Sequence, residues 1–279
     1  MALSYDEDLR SLALQAYEIA DRLCLDCKNF HSLWPYLRLA KASGGDVEEP
    51  LIVSTLKQLL AKGDRTILVA GCADTGLLAV VARAAAPGTK ITLLDRCMTP
   101  LELCHRFAQS RSLSIETIHC DLMNFCAHSC YDVVFAHALL QFILSEFRID
   151  VVSRIRQSLR PNGRLLIAFR TSSHIEGALL HEYQDSYRKN IIEQLESRKV
   201  ELPEPRKEFC RRLEEYSEER RKREGAHQSY EEVEELLKAA GFEIESINSI
   251  ESEQSDPFRK FATKIHKKRF LAVAHPKQL

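Results

Sequence analysis

The sequence predicts an α/β protein: a doubly wound, mostly parallel sheet closed by a C-terminal antiparallel strand hairpin, preceded by helices and interrupted by a helical cap. Three observations carry this. From Thr66 to about residue 169, short continuous apolar runs alternate with stretches of helical spacing. An apolar run without alternation is what a strand buried on both faces requires. The first run passes through a turn of small residues, Gly71–Cys72–Ala73–Asp74–Thr75–Gly76, straight into an apolar helix. After a heavily charged stretch at 174–225, two more strand patterns end the chain.

The first sixty residues form a helical preface. Leu9, Leu12, Leu14, Tyr17, Ile19 and Leu23 recur at helical spacing. Phe30–Ala40 is rich in aromatic residues and interrupted by Pro35, Gly44, Gly45 and Pro50 mark a turn, and Leu51–Leu60 is a further helix ended by Gly63. Strands follow at about 66–70, 90–95, 115–120, 132–137 and 164–169, with helices at about 76–86, 99–110 and 143–159. Pro161–Asn162–Gly163 is a turn before the fifth strand.

Residues 174–225 carry acids and bases in near balance, and Pro203 and Pro205 divide them into two helical pieces. Leu179, Leu180, Tyr183, Tyr187, Ile191, Ile192 and Leu195 give the first piece an apolar stripe. This stretch reads as a lid over the sheet or, equally, as a surface excursion or homodimer contact. Ser229–Tyr230–Glu231–Glu232 has the form of a capping box, and Gly241 is placed to end the helix it starts. Strands at Phe242–Ile250 and Arg269–Ala274 complete the sheet. The domain reading is a helical segment at 1–60, a cofactor-binding domain at 61–173 and 227–279, and a cap at 174–226.

Composition narrows the function. The 279 residues carry a net charge of −1 and are 28% charged, which lacks the basic excess of a nucleic-acid binder. The N-terminus is acidic, with neither signal peptide nor membrane span, so a cytoplasmic protein is expected. Nine cysteines are an odd number and read as free thiols. Cys24 and Cys27 have CxxC spacing with His31 nearby, and Cys120, Cys126, His128 and Cys130 form a second group. Neither offers a tidy four-ligand set, so no metal is expected.

Gly71, Ala73 and Gly76 occupy the places of a glycine-rich strand-to-helix turn, where backbone can approach a ligand with a helix dipole behind it. Asp95 ends the second strand, in position to accept from the hydroxyls of a ribose. Asp121 ends the third, where its carboxylate can accept from an adenine amine while the Leu122 amide donates to a ring nitrogen.

The ordered set Ile67–Leu78, Ile91–Cys97, Cys120–Leu122, Tyr131–Leu140 and Leu159–Leu166, closed by a helix ending Ala239–Ala240–Gly241–Phe242 and a strand pair, resembles a class I S-adenosylmethionine-dependent methyltransferase over residues 60–275. The resemblance implies a Rossmann-like fold, S-adenosylmethionine as cofactor and methylation of a small molecule at oxygen or nitrogen. Gly71, Cys72, Ala73 and Gly76 would pass the methionine moiety. Asp95 would hold the ribose, Arg96 or Cys97 would lie on the adenine face, and Asp121 and Leu122 would read its edge. His137 would stand near the sulfonium, as general base or packing residue, with His174 and His181 as further candidates.

One departure matters. The family's acid near the end of the first strand is replaced by Val69–Ala70, and the turn is a residue longer. Arg38, beside Trp34 and Tyr36, is the candidate to anchor the cofactor's carboxylate. Two other readings remain: an NAD-dependent oxidoreductase, against which stands the lack of a Tyr-x-x-x-Lys pair, and a non-catalytic cofactor-binding regulator.

Overall fold

The computed structural model describes residues 5–41, 45–61, 65–172, 177–223, 229–250 and 267–277. Three helices open the chain: α1 (Tyr5–Leu23), α2 (Lys28–Leu39) and α3 (Gly45–Leu59). Then come β1 (Thr66–Ala70), α4 (Gly76–Ala84), β2 (Lys90–Asp95), α5 (Met98–Ser110), β3 (Ile115–His119), β4 (Tyr131–His137), α6 (Arg148–Ser158) and β5 (Leu159–Ser172). The insertion holds α7 (Gly177–Ser197) and α8 (Arg206–Arg223), and α9 (Tyr230–Ala239), β6 (Phe242–Ile250) and β7 (Lys267–Pro276) end the described chain. The sheet order is β3-β2-β1-β4-β5-β7-β6. β1 to β5 pair in parallel, and β7 is antiparallel to both β5 and β6. The order reverses between β1 and β4, and that crevice is where open α/β sheets bind ligands.

The apolar runs of β1, β2 and β4 are buried on both faces, as their lack of alternation implies, whereas β3, at the sheet edge, is largely exposed. Along β1, Ile67 and Val69 enter the core built with α1, α3, α4 and α5, while Leu68 and Ala70 enter the core on the other face with α6 and α9. A period of two sorts successive residues to opposite layers. Ser229 caps α9 through a complete box with Glu232, and Gly241 follows at φ +83, a conformation that suits glycine.

Three local readings differ from the structure. Pro35 and Pro50 lie inside α2 and α3 rather than breaking the chain. Each helix survives the lost backbone bond because its apolar face is packed: Leu33, Tyr36, Leu37, Ile52 and Leu56 are all buried. The turn at Pro161–Gly163 is a bulge inside β5, since Leu159 already pairs with Tyr131 before the register shifts to Val133 with Arg164. In α1 the buried stripe is Leu9, Leu12, Ala13, Ala16, Ile19 and Ala20, while Leu14 and Leu23 face outward.

The preface and the insertion share one apolar core. Leu9, Leu33, Tyr36 and Leu37 from α1 and α2 pack with Ile191, Ile192 and Leu195 of α7 and Phe209, Leu213 and Tyr216 of α8. Each fully buried side chain of this size contributes about 1.5–3 kcal/mol, whereas the exposed ion pairs along α7 and α8 contribute ~0–1 kcal/mol each. Apolar burial, not charge, therefore holds this layer together. Tyr187 packs at its edge. The side chains of Leu179, Leu180 and Tyr183 lie outside the described residues.

Candidate active site

The ten residues picked from the sequence as cofactor-binding or catalytic converge. Arg38, Gly71, Cys72, Ala73, Gly76, Asp95, Arg96, Asp121, Leu122 and His137 all line one cavity of about 640 Å³ at the carboxyl edge of β1, β2 and β4. That volume lies in the ~300–1,000 Å³ range of small-molecule sites. The roof comes from α2 (Phe30, Trp34, Arg38) and α8 (Tyr216, Glu219). Of the other histidines considered, His174 lies outside the described residues, as does the side chain of His181.

The floor is the turn after β1. Gly71 has φ +78, and its N–H donates to the Leu94 carbonyl at 2.8 Å. Cys72 donates its N–H to Asp95 Oδ2 and Cys97 donates its own to Oδ1, both at 2.8 Å. Asp95 thus staples the β1–α4 turn to the start of α5, with acceptor capacity left on both oxygens. Burial pushes its carboxyl above the usual range, against the charge of His31 and these two N–H bonds. The Cys72 thiol is buried beside Cys104, which with desolvation raises it well above an ordinary thiol.

The acid missing from the end of β1 has a counterpart inside the turn. Asp74 is only 4% exposed; its Oδ1 accepts from the Gly76 N–H at 2.8 Å and its Oδ2 from Arg38 Nη1 at 2.7 Å. Gly76 leaves room for this pair: a Cβ there would lie 2.6 Å from the Arg38 guanidinium carbon and push that head group aside. Arg38 is therefore seated against the turn from above, tying α2 to the glycine loop.

Arg96 lines the cavity and pairs with Asp26 between α1 and α2 at 2.7 Å, while Cys97 is buried with its sulfur 3.5 Å from that of Cys24. Of the two residues suggested for the adenine face, Arg96 is the one at the cavity. Asp121 accepts from the Met123 N–H at 2.8 Å, which fixes its carboxylate at the cavity edge.

His137 ends β4, and its Nε2 lies 2.6 Å from Glu48 Oε2. Glu48 Oε1 accepts from Arg269 Nη1 at 3.0 Å. Burial alone would push the Glu48 carboxyl up, but His137, Arg269 and Arg170 outweigh it and hold the group below its usual range. An ionised Glu48 selects the tautomer with hydrogen on Nε2 and leaves Nδ1 as proton acceptor. Ala138 follows at φ 51 and donates its N–H to Ala168 at 2.8 Å, turning the chain sharply after the histidine.

Over this floor Phe30 stacks on Trp34, with centroids 5.2 Å apart, and meets Phe142 edge-on at 5.5 Å. Phe142, Leu144 and Phe147, all substantially exposed, carry the apolar wall to the mouth.

Glu48, Asp74, Arg269 and Phe142 are additions to the sequence reading. Asp74 was visible in the turn. Glu48 and Arg269 lie 89 and 132 residues from His137 along the chain, and no local spacing links them.

A family model described as a methyltransferase domain matches residues 67–163. The match spans the turn, Asp95, Asp121 and His137, and the sheet has the strand order just described. Residues 67–163 carry a methyltransferase domain. No curated protein sequence matches the chain. Solved structures similar to this methyltransferase include the [4+2]-cyclase SpnF, 14% identical over 82% of this chain and 81% of that one, with a TM-score of 0.55. The PH0226 protein of Pyrococcus horikoshii OT3 is 16% identical, covering 85% and 91% of the two chains, with a TM-score of 0.53. Geranyl diphosphate C-methyltransferase of Streptomyces coelicolor A3(2), solved with Mg2+, geranyl diphosphate and S-adenosyl-L-homocysteine, is 10% identical over 82% and 79%, with a TM-score of 0.55. At these identities the likeness concerns the fold alone. Among the described residues, no helix of the methyltransferase is long and apolar enough to cross a membrane.

Proposed function

We propose that this methyltransferase moves a methyl group from S-adenosylmethionine to an oxygen or nitrogen of a small, flat, apolar acceptor. The observation that carries this reading is the pairing of His137 with Glu48 in the same cavity as Asp95 and Asp121, beneath the roof of Phe30, Trp34 and Phe142.

The residues present fit the cofactor. Asp95 offers acceptor capacity for a ribose diol, Asp121 stands at the edge where an adenine amine would donate, and Leu122 is an apolar neighbour. Arg38, braced by Asp74, would supply the cation for the methionine carboxylate. When bound, S-adenosylmethionine supplies an electrophilic methyl on a sulfonium, already an excellent leaving group.

The protein's task is then alignment and proton removal. The aromatic roof would hold a planar acceptor by stacking and exclude water, and proximity of this kind reaches effective molarities of about 10⁵ M or more. His137 would take the acceptor's proton at Nδ1 while Glu48 stabilises the resulting imidazolium, a contribution of ~10²–10⁴-fold. The apolar wall and the net charge of −1 favour a small molecule over nucleic acid.

The test is S-adenosylhomocysteine release from the full chain with S-adenosylmethionine and a panel of acceptors. Turnover with flat phenols or aromatic amines, and their gain of one methyl by mass spectrometry, is expected. Turnover confined to RNA, DNA or protein substrates would overturn the acceptor assignment.

A further inference from the structure

The fold gathers a second constellation behind the cavity. Cys24, Cys27, His31 and Cys97 place one ligand atom each within 4.8 Å of all the others. Cys24 Sγ lies 3.5 Å from Cys97 Sγ and 3.4 Å from His31 Nδ1. A tetrahedral ion with bonds of ~2.0–2.3 Å separates its ligands by roughly 3.4–3.8 Å, so the two distances from Cys24 already match a ligand shell and the whole set lies within about an ångström of one. We propose that these four side chains bind one structural zinc ion.

Local structure explains why the set forms. Cys24 and Cys27 flank the tight turn between α1 and α2, with Leu25 fully exposed at its tip. Cys27 is the N-cap of α2, and His31 is four residues on, one helical turn above it on the same face. Cys97 arrives from the far side as the N-cap of α5. Cys27, His31 and Cys97 are each only 5% exposed.

Buried cysteines often serve as small apolar residues. That role does not call for a histidine nitrogen and three sulfurs aimed at one point, an arrangement that leaves polar groups short of water. The Thr99 hydroxyl, fully buried, lies 3.0 Å from Cys24 Sγ and can donate to its thiolate, the outer-shell support that metal ligands characteristically receive. The α5 dipole favours negative charge at Cys97. Three thiolates and an imidazole in a tetrahedron select zinc among the common cellular metals. On binding, each thiol gives its proton to solvent. The CxxC spacing and His31 brought three of these side chains to notice in the sequence, where no metal was expected from them; the fourth, Cys97, lies beyond β2, two residues after Asp95.

The ion would lock the helix that carries Phe30, Trp34 and Arg38 onto the end of β2, where Asp95 and Arg96 lie. This proposal stands whether or not the acceptor assignment does, because its readout is metal content.

Elemental analysis of the full chain, purified under reducing conditions and freed of loosely bound metal, is expected to find about one zinc per molecule. Cys97→Ser should lower this at least tenfold. Zinc removal by a strong chelator should lower the melting temperature by roughly 10 °C, reversed by added zinc. The cobalt-substituted protein should show the intense visible bands of a tetrahedral thiolate site. His31→Cys should retain the metal and strengthen the sulfur-to-cobalt charge-transfer band by roughly one third, as three thiolates become four. If Cys97→Ser does not fold, the parent's zinc content and cobalt spectrum decide. A folded parent without zinc whose melting temperature zinc leaves unchanged, or a Cys97→Ser variant with full zinc content, would overturn the assignment.

Discussion

Replacing Asp95 with alanine lowers the affinity for S-adenosylhomocysteine by about two orders of magnitude or more. A hydrogen bond to a charged group is worth ~1.5–3 kcal/mol, and each 1.4 kcal/mol is about tenfold in affinity. On the proposed assignment of both ribose hydroxyls to Asp95, their loss therefore exceeds a hundredfold at the midpoint of that range. The carboxylate also holds the Cys72 and Cys97 amides, so its loss loosens the turn itself. Asp95→Asn keeps one acceptor oxygen and should fall between the two.

The same residue predicts a pH dependence. Burial raises its carboxyl above the usual range, and the neutral acid is a poorer partner for two ribose hydroxyls. Affinity should therefore decline as pH falls through that raised value, sooner than an ordinary aspartate at ~3.9 would dictate. The effect on folding has the opposite sign. With a folded value above the unfolded one, Asp95 contributes stability below its unfolded pKa and loses it as pH rises through the folded pKa. Calorimetric titration at stepped pH, with Asp95→Ala as control, separates the two. A folded Asp95→Ala variant of unchanged affinity would place the ribose acceptor elsewhere.

His137→Gln is expected to lower kcat by ~10²–10⁴-fold while changing cofactor affinity only a few-fold, the signature of a group acting on the proton in flight. Glu48→Gln should give a smaller loss, because the imidazolium formed in the step loses the carboxylate that pairs with it. Glu48→Ala should also destabilise the fold by roughly 3 kcal/mol, since it removes the buried carboxylate that bridges His137 and Arg269. The lowered carboxyl of Glu48 adds stability above its unfolded pKa, and this is lost as pH falls through the folded value. Chemical denaturation alongside single-turnover kinetics distinguishes the variants. A His137→Gln enzyme with unaltered kcat would reduce the histidine to a packing role.

The sheet was legible because β1, β2 and β4 are continuous apolar runs bounded by turn residues, a pattern that depends only on nearest neighbours. The residues at the strand ends were legible for the same reason: Gly71 follows β1, Asp95 ends β2 and Asp121 lies two residues beyond β3. Pro35 and Pro50 misled because helix-breaking is a local preference that the packing of α2 and α3 overrides. The shared core of the preface and the insertion was hidden, since the stripe in α8 (Phe209, Leu213, Tyr216) sits within dense charge. The Glu48–His137–Arg269 cluster and the completion of Cys24, Cys27 and His31 by Cys97 are products of the fold. Their members lie far apart in the chain, and only the strand order brings them together.

The most direct test of the central claim is paired calorimetric titration of the full chain with S-adenosylhomocysteine and with NAD. One S-adenosylhomocysteine site per chain, abolished or strongly weakened by Asp95→Ala, and no measurable NAD binding are the results this account predicts. Binding of NAD without binding of S-adenosylhomocysteine would contradict it.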